Sequence, residues 1–317
     1  MLRFWKRRAL LALASASAVL IAACGGGQIE SQLKPSRIVV FGDGFSDLGQ
    51  VGGKKYTVNA VGINVWTEEM AAGYGITLTT AAAGGTSYAT GNARVNTHPD
   101  AAGNNATPTV AEQITTFLGS GGVGSNDLLV VGGGISDIIA EVGQLNAGTQ
   151  TEAQTVADVQ QAGRDLGAQV RRLVQAGATH VMVTGTYDLG KSPWATATSQ
   201  NARLTDLSTK FNTELLVSIV DLGNTVLYVD AALLYNLMAQ VPEAYSLTDS
   251  TNPVCNSIDS GPGIGIGAGE VNSSLCTTST LVNVNYGPFL FADKVYPATA
   301  GHIKFGDYAY QRVSARW

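Results

Sequence analysis

The sequence predicts an α/β domain built on a mostly parallel sheet. Three observations carry that prediction: short apolar runs with strand character, amphipathic helical patterns between them, and regular alternation of the two along the chain. Strands are expected over residues 37–41, 127–131, 180–184 and 225–229, each bounded by Gly, Asp or Asn. Apolar residues three or four apart predict helices over 65–74, 110–118, 156–176, 201–222, 231–239 and 300–313. Strands separated by helices pair in parallel, and parallel sheets bind ligands at the carboxyl ends of their strands. The loops after Phe41, Val131 and Thr184 should therefore converge on any site.

The first 24 residues are expected to lie outside that domain. Arg3, Lys6, Arg7 and Arg8 precede an apolar run over residues 9–22, the layout of a secretory signal and too short to span a bilayer comfortably. The run closes on Ile21-Ala22-Ala23-Cys24, which resembles a bacterial lipobox. That resemblance implies a lipidated Cys24 as the mature N-terminus, a polar tether over residues 25–35, and an exported chain anchored in the cell envelope. Gly25 directly after the cysteine suggests the outer membrane. An ordinary cleaved signal, with Cys24 incidental, is the alternative. Residues 36–317 are long enough for a single α/β domain.

Composition narrows the function. A net charge of -5 offers no basic patch for nucleic acid, and the 38 glycines are scattered rather than repeated. Cys255 and Cys276 flank a glycine-rich stretch and, in an exported chain, most simply form one disulfide. Three dispersed histidines give no recognisable metal-ligand set, and no cofactor motif is present.

Residues 39–49 read Val-Val-Phe-Gly-Asp-Gly-Phe-Ser-Asp-Leu-Gly, which resembles the first block of the GDSL (SGNH) ester hydrolases, with Gly44 where their nucleophilic serine belongs. The resemblance implies a three-layer α/β/α sandwich with a flavodoxin-like central sheet. It also implies a family reaction: attack of a serine on an acyl ester, helped by a Ser-His-Asp triad, then hydrolysis of the acyl-enzyme. Further segments follow in the family's order. Ala81-Ala82-Ala83-Gly84-Gly85-Thr86 resembles the second block, with Gly84 preferred over Gly85 as the oxyanion donor; a plain turn is the alternative. Gly134-Ile135-Ser136-Asp137 resembles the third, Gly-x-Asn-Asp, with Ser136 at the asparagine position, either as a weakened oxyanion donor or as the cap of a helix that begins there. Residues 188–193 resemble the loop after a central strand in lipase-like members.

Residues 291–302 resemble the Asp-x-x-His-Pro loop that supplies acid and base, keeping Asp293 but placing Tyr296 at the base position. A glycine has no nucleophile, and a tyrosine titrating near pH 10 is a poor proton acceptor at neutral pH. Ser46 with His302 or His98 is the substitute pair to test; His180, opening a strand, reads as structural. Two functional classes follow. One is a disarmed member that binds an acyl ester, lipid or acylated glycan without cleaving it. The other is an active esterase using non-standard residues.

Overall fold

The computed structural model describes residues 32–317. The lipobox with Cys24 and most of the tether, residues 25–31, lie outside the described residues.

Four strands form a parallel sheet in the order β1–β2–β3–β4: β1 (Arg37–Phe41), β2 (Asp127–Val131), β3 (Val181–Val183) and β4 (Val226–Tyr228). Their register aligns Phe41 with Val131, Val131 with Val183 and Val183 with Tyr228, so the strands end at one level. The runs are apolar because the central strands are buried on both faces; Ile38, Val39, Val40, Phe41 and residues 128–131 are all solvent-inaccessible. On the outer side of β1 a segment joins the strand at an isolated bridge, Val40 to Ser87, fixed by Val40 N–H to the Thr86 carbonyl and Tyr88 N–H to the Val40 carbonyl. That degenerate edge strand lies on one side of β1 and β2 on the other. The flavodoxin-like order thus holds, with the switch in direction between β1 and β2.

Helices cover both faces. On one, α1 (Trp66–Gly73) packs against the closing helix; on the other, α2 (Val110–Gly119), α3 (Ile135–Asn146) and α4 (Glu152–Gln175) form a layer. The short α5 (Pro193–Thr198) leads into α6 (Asn201–Ile219), which lies along α4. After α7 (Ala231–Gln240) come β5 (Asp249–Pro253) and β6 (Phe289–Phe291), a separate two-stranded sheet, and the chain closes with α8 (Thr299–Arg316).

Local apolar patterning neither delimits α3 nor marks α5, β5 or β6. The helix expected over 156–176 starts four residues earlier, at Glu152, because Thr151 caps it in a reciprocal pair with Gln154 and polar residues fill its first turn. β5 reads Asp-Ser-Thr-Asn-Pro and carries no apolar alternation. Cys255 and Cys276 form the expected disulfide, with Cα atoms 5.8 Å apart. Closing a loop of this length stabilises by about 3 kcal/mol on the chain-entropy model. The bridge holds the segment carrying Ser273, whose N–H donates to Asp293.

Candidate functional site

The turn after β1 presents Gly44 at the switch point. Its entry is clamped by Gln113 of α2: Gly42 N–H donates to Gln113 Oε1 at 2.9 Å, and Gln113 Nε2 donates to the Gly42 carbonyl at 2.9 Å. Asp43 shapes the turn through its carbonyl, which accepts from Ser46 N–H at 3.0 Å, and its Oδ1, which accepts from Phe45 N–H at 3.0 Å.

A second loop, after β6, brings Tyr296 over the same point. Asp293 builds it. Its Oδ1 accepts from Val295 N–H at 2.7 Å and Tyr296 N–H at 2.6 Å, and its Oδ2 accepts from Ser273 N–H at 2.9 Å. From the loop after β3, Tyr187 Oη donates to the Val295 carbonyl. The Tyr296 ring is fully buried and packs on Tyr56 with centroids 4.8 Å apart. A Cβ placed on Gly44 would lie 2.8 Å from both Cζ and Oη of Tyr296, closer than van der Waals contact permits. The ring fills the space a side chain at position 44 would need.

The surroundings are buried and polar. Ser136 Oγ, Tyr296 Oη and Asp43 Oδ2 are all inaccessible and lack a partner at good hydrogen-bond geometry, though Ser136 lies close enough to both Tyr296 and Asp43 to interact with each. Desolvation raises the Asp43 carboxyl to about 7, against the pull of its Phe45 hydrogen bond. Burial pushes the Tyr296 phenol well above its ordinary value, reinforced by the Asp43 carboxyl. Behind α3's first turn, Arg94 Nη2 donates to Glu141 and its Nε stands 3.6 Å from Asp137, whose carboxyl also accepts from Val95 N–H. Desolvation outweighs Arg94 and raises Asp137 to about 6.

The scaffold thus presents two loops meeting at the carboxyl end of β1 and β2, with a retained aspartate and a filled nucleophile position. Residues 38–309 match the family model for GDSL-like lipase/acylhydrolase. The chain belongs to that family. An uncharacterized protein of the trpE-trpG intergenic region of Pseudomonas putida is 30% identical over 166 residues, a match spanning 51% of this chain and 26% of that protein. Solved structures similar to the chain include a carbohydrate acetylesterase from Sinorhizobium meliloti at 12% identity, covering 89% of this chain and 99% of that one with a TM-score of 0.46. The native aryl esterase of M. smegmatis is 12% identical, covers 89% and 99%, and has a TM-score of 0.44.

Within this GDSL-family fold, several residues sit differently from expectation. Gly84 is exposed, in the left-handed region at φ 83°, and its N–H is already spent on the Ala81 carbonyl at 3.0 Å. Gly85 N–H is likewise spent on Thr80. Neither can serve an oxyanion. The glycine that does approach the centre is Gly91, where an added Cβ would fall 2.2 Å from the Tyr56 ring; its N–H donates to Asp47 at 2.8 Å. A glycine followed by Asn92, itself at φ 62°, was the available signal. Ser136 does not cap α3. Gly134, at φ 107° and under the Phe211 ring, holds the N-cap position, and Ser136 lies inside the first turn with its hydroxyl beside Tyr296. Asp188 caps the turn that follows it, accepting from Gly190 N–H at 3.0 Å, and is structural.

The substitute pair does not assemble. His302 lies in the first turns of α8, where Nδ1 accepts from Trp66 N–H at 3.1 Å, and burial pushes its pKa down to about 3. His98 is engaged with Glu112 at 3.1 Å. His180 packs edge-on against Trp317. Ser46 is buried beneath Gly42 and Gly132.

The shifted groups set a pH dependence of known sign. The Asp43 carboxyl, at about 7 when folded and about 4 when unfolded, keeps a proton that the unfolded chain loses. Its stabilisation is full at acid pH and is lost as pH rises through about 7. His302, depressed to about 3, acts oppositely: its contribution is present above about 6.5 and is lost as pH falls. Because the two slopes oppose each other, a difference between variants is the clean readout. Asp43→Asn is expected to gain stability relative to the parent as urea midpoints are followed from acid to neutral pH. Parallel profiles would mean that Asp43 titrates normally.

Proposed function

We propose that this GDSL-family protein is a cell-envelope lipoprotein whose ester-hydrolysing centre is disarmed, and whose cleft binds an acyl ester, lipid or acylated glycan without cleaving it. One observation carries the reading: the Tyr296 ring stands 2.8 Å from where a nucleophile's Cβ would be, so the missing serine and the missing histidine are one sterically coupled change. Asp293 supports it, since its carboxyl serves three backbone N–H groups, two of its own loop and that of Ser273, and faces no imidazole. A triad lacking both nucleophile and base loses most of its rate gain.

The test is hydrolysis of p-nitrophenyl butyrate by the parent chain, expected not to exceed the buffer rate. Turnover that survives purification and disappears in Ser46→Ala would establish the active, non-standard reading instead. The anchor rests on the sequence of residues 3–25. Cys24→Ser is expected to move the chain out of the membrane fraction; unchanged membrane partitioning refutes the lipid anchor.

A further inference from the structure

The amino ends of the four parallel strands form the base of the domain. The loops entering them are residues 32–36, 119–126, 175–180 and 220–225, and aligned register gathers them at one end. The last turn of α8 joins them: Leu33 N–H donates to the Trp317 carbonyl at 3.4 Å, Trp317 packs edge-on against His180, and Arg316 Nη2 donates to the Gly223 carbonyl at 2.5 Å. We infer that this base is a membrane-docking face that seats the domain on an anionic bilayer with its cleft turned away. The inference rests on the reading of residues 3–25 as a lipid anchor.

Charge is the first reason. The chain has a net charge of -5, yet the four loops and residues 312–317 hold a single acid, Asp221, against Lys34, Arg312 and Arg316. Asp221 is already taken by Arg171 at 2.7 Å, whereas the three cations are exposed and make no ion pair among the described residues. At the carboxyl end the balance is reversed. There an open cleft of about 430 Å³, lined by Tyr56, Gly91 and Asn92, holds Asp47, Asp100 and Asp259 against Lys54. A molecule that is acidic overall and basic at one end presents that end to anionic headgroups.

Apolar exposure is the second. α6 ends at the base, where Val217 is 65% and Val220 79% exposed; with Leu216, Ile219, Val226 and Tyr228 they line an open hollow of about 320 Å³ along the outer edge of β4. Trp317, part-exposed, belongs to the same base. Apolar tips of this kind enter the acyl boundary while the flanking cations stay with the headgroups.

Reach is the third. Seven residues, 25–31, separate Cys24 from Gln32, and the fully extended span between those two is at most about 28 Å. α4, which ends at the base with Gln175, has 24 residues and is therefore about 36 Å long. A lipid on Cys24 can lay the base on the bilayer, but the tether is too short to bring the carboxyl end of the sheet down onto it. Ligand then enters the cleft from the aqueous side.

The test is fluorescence of the full lipidated chain in vesicles of phosphatidylethanolamine and phosphatidylglycerol carrying brominated acyl chains. Val220→Cys at the base and Val61→Cys in the loop after β1, both at exposed positions, each take an environment-sensitive label. Cys255 and Cys276 are bridged and Cys24 carries the lipid, so the added thiol is the single target. The label at 220 should shift to the blue and be quenched; the label at 61 should not. Adding Lys34→Glu and Arg312→Glu should lower the ratio of docked to undocked chain on the order of tenfold, read as lost quenching at 220. The inference is overturned if 220 is quenched no more than 61, or if the charge reversals change nothing. A label at 220 already shielded in detergent, in a chain that sediments as a dimer, gives the face to a second copy and overturns it too. Failure of the anchor is read separately: Cys24→Ser that leaves the chain in the membrane fraction refutes the lipid, while the two labels, placed in that background, still decide the docking.

Discussion

Esterase activity is expected to appear in a Gly44→Ser, Tyr296→His double variant and in neither single variant. With Tyr296 present, a Cβ at position 44 meets ring atoms at 2.8 Å, and the new hydroxyl would face a phenol that cannot take its proton. Overpacking of that kind costs about 1–3 kcal/mol. Tyr296→His alone supplies a base with nothing to activate. Together, the smaller imidazole vacates the position, the serine enters it, and Asp293 is already fixed on the same loop. A positioned general base contributes on the order of 100-fold or more, so turnover of p-nitrophenyl butyrate should rise at least that far above the parent. Stability gives an independent readout: Gly44→Ser should lower the melting temperature in the parent background and much less in Tyr296→His, a coupling that a double-mutant cycle measures. Two outcomes count against the interlock: equal destabilisation in both backgrounds, or a folded double variant that remains silent.

Arg94→Ala is expected to be the most destabilising single change at the site. Arg94, Asp137 and Glu141 have side-chain exposures of 8%, 1% and 4%, and the guanidinium is the cation between the two carboxylates. Removing one partner of a buried ionic group leaves uncompensated charge and costs about 3–5 kcal/mol. The loss falls on the first turns of α3, beside Ser136, so the centre should loosen with it. Urea unfolding measures the cost directly, with Arg203→Ala as the reference. Arg203 pairs with Glu152 at a solvent-exposed position, where a lost pair is worth under about 1 kcal/mol. Equal effects of the two substitutions would refute a dominant role for the buried network.

Much of this was legible in the chain. The strands at residues 37–41 and 127–131 and most of the helices announced themselves, because periodicity is set by residues a few positions apart and by the need to bury one face or both. Segments with no such pattern escaped notice. The polar β5 is held by pairing with β6 rather than by its own alternation, and the strand beyond β1 dwindles to an isolated bridge at Ser87.

The sequence by itself determined the parallel α/β sheet, the loops that carry the site, and the absence of a serine at 44 and of a histidine at 296. Only the tertiary structure decided what those absences mean together. The Tyr296 ring fills the place of a side chain at 44, Gly84 turns out to be exposed with its N–H spent, Ser136 lies within a helix rather than capping it, and Gly91 and Asn92 reach the cleft instead. The reason is physical. A motif fixes which side chain is present, but whether its space is free depends on packing between segments far apart in the chain, and that packing has no local signature.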